Sequence, residues 1–135
     1  MRNPPIVRLF FCALSIAFLA GCTTTHNIHG FRGKGKSATF DVAFMDAWES
    51  AKEAGNMMGL DIKEENLDAK YIVFGKRVSL MSYGEVVGVY VTPVSDGKAR
   101  VEVVSKPKVR TNIFAPNWED KYLESLTSLI HARQR

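Results

Sequence analysis

Cysteine is nearly absent from this chain. Of its 135 residues only Cys12 and Cys22 are cysteines, and both lie near the N-terminus. No disulfide framework can therefore staple the remainder. Histidine is equally scarce, with His26, His29 and His131. There is no glycine-rich phosphate loop and no cluster with metal-ligand spacing. A strong net charge is also missing. The formal +4 includes Arg2 and Arg8; beyond residue 21 there are 16 Lys and Arg against 14 Asp and Glu, or +2. Such a mild balance gives no clustered basic stripe and argues against nucleic acid as a partner. Long hydrophobic runs are lacking too. The apolar run at residues 9–20, LFFCALSIAFLA, spans about 18 Å as a helix, whereas a bilayer core of ~30 Å needs about 20 residues. It is too short for a comfortable span.

What is present begins with that run. Residues 1–8, MRNPPIVR, are short and carry two positive charges. A charged start, an apolar middle and small residues after it describe a secretory signal peptide. An ordinary signal peptidase wants small residues one and three positions before its cut. For a cut after Gly21, Leu19 would occupy the third. Leu19-Ala20-Gly21-Cys22 instead resembles the lipobox of bacterial lipoproteins. The resemblance implies a diacylglyceryl thioether on Cys22, cleavage between Gly21 and Cys22, and often acylation of the new amino group. Chemically, a thiol is the nucleophile such a thioether requires. Two or three acyl chains give a stable anchor at ~0.8 kcal/mol per buried methylene. The alternative is a plain signal peptide with an incidental cysteine. Thr23 stands where an aspartate tends to retain such proteins in the inner membrane. The expected location is therefore the cell envelope, at the outer membrane facing the periplasm. The lipid on Cys22 would be the one attached group; no cofactor or metal is expected.

Residues 22–37 follow as a lipidated N-terminus and a polar, Gly-, Thr- and Lys-containing tether without periodicity. Arg32, Lys34 and Lys36 alternate with glycines and could meet anionic headgroups, or simply be solvated. His26 and His29 are three apart but lack a third ligand nearby.

Residues 38–135 hold enough apolar side chains for one folded domain, the whole chain being 46% hydrophobic. Ala38-Thr39-Phe40 reads as a short strand and Asp41 as a helix cap. Phe44, Ala47, Trp48, Ala51, Ala54 and Met58 share one helical face, which predicts a helix over 42–58 stopped by Gly59. Strands are predicted at 60–64, 70–80, 86–94 and 99–105. Ser95-Asp96-Gly97-Lys98 joins the last two. A two-residue loop would place Val91 opposite Glu102. A three-residue loop with a left-handed Gly97 places Val91 opposite Val101 and Val89 opposite Val103, and is expected because it groups apolar residues on one face. Pro116 and Asn117 begin a second helix over 117–132, striped by Trp118, Tyr122, Leu126, Leu129 and Ile130. The fold class is α+β: an antiparallel sheet with two helices on one face, in the order β-α-β-β-β-β-α. That order is similar to the helix-grip domains of BamC-like outer-membrane assembly lipoproteins and to that of other small bacterial lipoproteins. The resemblance implies scaffolding or partner binding.

Two candidate surfaces emerge. Trp48, Met57 and Trp118 could line an apolar cleft between sheet and helices, or belong to the core. Lys98, Arg100, Lys106, Lys108 and Arg110 share a parity and could form a basic contact face, or guard an edge strand. No catalytic constellation is evident. His131 falls at the end of the second helix, and Glu64-Glu65 and Glu119-Asp120 should diverge. The expectation is a non-catalytic, membrane-anchored envelope lipoprotein that binds envelope proteins. The alternative is a carrier of a small apolar ligand or lipid.

Overall fold

The computed structural model describes residues 28–76, 85–107 and 117–135. A 3-10 turn, Ile28–Phe31, precedes β1 (Lys36–Phe40), α1 (Phe44–Met57), β2 (Asp61–Asn66), β3 (Tyr71–Lys76), β4 (Glu85–Ser95), β5 (Lys98–Pro107) and α2 (Trp118–Arg133). The five strands form one antiparallel sheet in the order β1-β5-β4-β3-β2. β1 and β2 are thus the two edges, and α1 carries the chain from one edge to the other. β2 to β5 then return as a meander. This is the α+β arrangement expected from the element order.

Helix α1 packs through small side chains. Ala47, Ala51 and Ala54 are fully buried, and their 4- and 3-residue spacing puts them on one face. Gly55 lies so close to the Phe74 ring that a Cβ there would come within 2.3 Å of it. Backbone-to-sheet approach of this kind needs residues without bulk. α2 contributes larger groups: Trp118, Tyr122, Leu126 and Ile130 are buried. They meet Ile72, Phe74, Val87, Val89, Val91, Val101 and Val103 in one core. The Tyr122 hydroxyl donates to the Ala51 carbonyl, joining the two helices. A buried phenol with a single partner is hard to ionise, and burial pushes its pKa well above the ordinary value.

The β4–β5 register agrees with the parity argument: Val91 pairs with Val101 and Val89 with Val103. The loop differs. Ser95 pairs directly with Lys98 across Asp96-Gly97, and the register shift falls between Pro93 and Ser95. Val94, 58% exposed, is the extra residue, so a bulge performs the one-residue shift expected of a longer loop. Gly97 has φ +74° and Gly59 φ +70°, both in the left-handed region expected of them. The α1 cap also differs. Ala43, not Asp41, is at the N-cap position. The Asp41 carboxylate instead pairs with Lys98 at 3.2 Å, while its carbonyl accepts from Gln134. Asn117 caps α2 as expected, accepting from the Asp120 N–H.

Candidate functional site

The helices cover one face of the sheet. The other face is covered as well, by the segment expected to be tether. Ile28 is 2% exposed and packs with Val73, Val86, Tyr90 and Val104 from the three central strands. Phe31 and Tyr71 pack against this second cluster. β4 makes room for it: a Cβ on Gly88 would come within 2.9 Å of Ile28 Cγ1. Polar contacts then fix the segment. The Tyr90 hydroxyl donates to the Ile28 carbonyl at 3.3 Å and lies 3.3 Å from His29 Nδ1. His29 sits edge-on to Tyr71 with ring centroids 4.4 Å apart. Glu102 Oε1 accepts from the Gly33 and Gly35 N–H groups at 2.6 and 3.1 Å. Such charge-assisted bonds to backbone are among the stronger kind. From Ile28 onward, the expected tether is therefore part of the folded domain. Residues 22–27 lie outside the described residues.

Three cations surround the docked turn. The Arg32 guanidinium lies over Tyr90, 4.9 Å from the ring centroid. The amines of Lys34 and Lys106 lie over Phe31, at 5.5 and 2.8 Å. Arg32 and Lys34 are exposed. Aromatic faces attract cations without neutralising them. The Tyr90 phenol responds to this setting. Burial raises its pKa, and the nearby Arg32 opposes that rise.

The expected basic face is correspondingly altered. β5 lies between β1 and β4 and is not an edge strand, so the guarded-edge reading does not apply. Lys98 pairs with Asp41, and Arg100 donates to Ser37 Oγ at 2.9 Å. Glu102 is used by the docked segment, Val104 is buried, and Lys106 covers Phe31. Lys108 and Arg110 lie outside the described residues. The cations that the face does present come from two parts of the chain, Arg32 and Lys34 joining Lys106.

On the helix side, Trp48, Met57 and Trp118 do not line a common cleft. Trp48 is 3% exposed within the core and Trp118 is 6% exposed, while Met57 is 68% exposed. α1's apolar stripe is filled by sheet residues, which accounts for Trp48; Met57 falls off that stripe. A half-open concavity of about 220 Å³ lies elsewhere, lined by Val42, Asp46, Ser50, Ile130, Arg133 and Gln134. Arg133 already donates to Ser50 and pairs with Glu53 there. The Lys76 amine lies 4.5 Å from the Trp118 ring centroid. Buried Glu85 Oε2 and Trp118 Nε1 have no hydrogen-bond partner among the described residues. The carboxylate pairs diverge. Glu64 accepts from Tyr71 whereas Glu65 faces Lys52 at 3.2 Å; Glu119 accepts from the Ser105 N–H whereas Asp120 pairs with Lys36 at 2.6 Å. His131 is exposed.

No protein-family model matches this chain, and no match is found among curated proteins.

The sequence reading missed the outer-face cluster. One signal could have found it. Val86-Val87-Gly88-Val89-Tyr90-Val91 is apolar at both parities, and a strand apolar on both sides needs cover on both sides. Two helices supply cover for one side only.

Proposed function

We propose that this chain is a bacterial envelope lipoprotein, anchored by lipid on Cys22 and carrying a small non-catalytic domain that binds other envelope proteins. The observation that carries this reading is Leu19-Ala20-Gly21-Cys22, closing a charged-then-apolar segment too short to span a bilayer. The mature protein would begin at Cys22 and sit at the outer membrane, facing the periplasm. For the domain's role, the supporting feature is the exposed edge strand β2 among the described residues. β2 ends the sheet, and Lys63, Glu64, Glu65 and Asn66 are all exposed. An extended segment of a partner can add to such an edge through backbone hydrogen bonds.

The anchor is tested by mass spectrometry of the mature N-terminus and by fractionation of a Cys22→Ser variant. The expected result is a lipid-modified Cys22 and loss of membrane attachment in the variant. An unmodified Cys22, or a processed variant still on the membrane, would overturn the anchor. Crosslinking in intact cells tests the domain's role; no recoverable envelope protein partner would contradict it.

A further inference from the structure

We infer that the outer face of the sheet, with its docked N-terminal turn, lies against the membrane and rests on anionic phospholipid headgroups through Arg32, Lys34 and Lys106. This goes beyond the proposed function and depends on its lipid anchor.

Chain length supplies the first argument. Five residues lie between Cys22 and Ile28, so six Cα–Cα steps join them. Fully extended they reach about 20 Å. Ile28 is not at an edge. It is packed over β3, β4 and β5, with two strand spacings to either side of β4. A path from there to the far side of the helix layer runs past two strand spacings, the sheet thickness and a helix diameter, about 30 Å in all. An anchor on Cys22 therefore cannot hold the helix face on the bilayer. The outer face is the broad surface within reach.

Charge supplies the second. Arg32, Lys34 and Lys106 surround the docked turn and lie over aromatic rings. None of the three is in an ion pair among the described residues. The carboxylate beside them, Glu102, is occupied by the Gly33 and Gly35 N–H groups. Lys36 and Lys98, by contrast, are paired with Asp120 and Asp41. Three cations without an ion pair among the described residues thus surround the turn from which the chain leads back to Cys22. Within a Debye length of an anionic surface each adds attraction.

The test uses the mature lipidated protein, in which Cys22 is blocked. Single nitroxide labels are attached to Thr92→Cys on the outer face or to Glu49→Cys on α1, both exposed positions. The protein is reconstituted into vesicles of phosphatidylcholine, with or without phosphatidylglycerol. Relaxation by a membrane-bound paramagnetic reagent reads proximity to the headgroups. The expected result is proximity at position 92 and not at 49, stronger with phosphatidylglycerol. Arg32→Gln with Lys34→Gln should reduce the outer-face-down population about tenfold in those vesicles. Circular dichroism confirms that the variant is folded. Protein that floats with vesicles but shows the α1 label nearer the membrane, or no response to phosphatidylglycerol or to the double variant, overturns the inference and leaves the anchor standing. Protein that carries no lipid and fails to float overturns both.

Discussion

Both faces of the sheet carry a buried apolar cluster, yet the two clusters are covered by different means. The inner face is sealed by two helices of 14 and 16 residues, whose side chains interdigitate with alternate strand residues in a continuous core. Among the described residues, the outer face is covered in part by one short segment, which leaves Thr92 and Arg100 exposed. Its apolar contribution is chiefly Ile28 and Phe31, and much of its fixation is polar, through Tyr90, Glu102 and two glycine N–H groups. Hydrophobic stabilisation follows the apolar area removed from water, so the inner face carries most of the stability. The outer face carries less, and its cover comes from the segment that follows Leu19-Ala20-Gly21-Cys22.

The largest effect should come from the inner face. Leu126→Ala removes a fully buried side chain from α2. Chemical denaturation should show a loss of about 2–5 kcal/mol. A loss below 1 kcal/mol would mean that the helix layer is not the main support. Ile28→Ala tests the outer face and should cost less, about 2 kcal/mol. Its signature should also be local: amide exchange should accelerate for residues 28–35 more than for β4 and β5. Equal acceleration throughout would make both faces one cooperative unit and remove the distinction.

A smaller effect concerns alkaline pH. Burial raises the pKa of Tyr122 and Tyr90 above the ordinary 10.0. The folded state then holds protons that the unfolded chain releases. Their contribution is complete below pH 10.0 and declines as pH rises beyond it. Tyr122→Phe should flatten the loss of stability above that pH more than Tyr90→Phe does, since the Tyr90 shift is partly opposed by Arg32. Equal slopes for the two variants would show that the faces exclude water equally well.

Local patterns explain which parts of the fold were legible. The 3.6-residue spacing of Ala47, Ala51 and Ala54, the Asn117 cap and the valine pairing of β4 with β5 are short-range or parity properties, and each is found in the structure. Asp41 had the chemistry of a cap but was engaged by Lys98 from a distant hairpin. Lys98 to Lys106 had the parity of an open ridge, but a strand's neighbours decide whether its face is open. β1 came to lie beside β5, and residues 28–35 came to lie over it. Trp48 was legible as part of an apolar stripe but not as core or cleft, because that depends on what fills the opposite side.

By itself, the sequence determined the two helices, the five strands and the pairing parity of the central hairpin, because periodicity and turn residues act over a few positions. It also contains the Leu-Ala-Gly-Cys motif on which the anchoring proposal rests. Only the tertiary structure decided that β5 is interior, that Trp48, Met57 and Trp118 are apart, and that the residues after the motif fold onto the sheet. Those outcomes depend on contacts such as Ile28 with Tyr90 and Gly33 with Glu102, more than sixty residues apart. No local pattern specifies them; they arise when a doubly apolar strand must be covered and the nearest free chain can cover it.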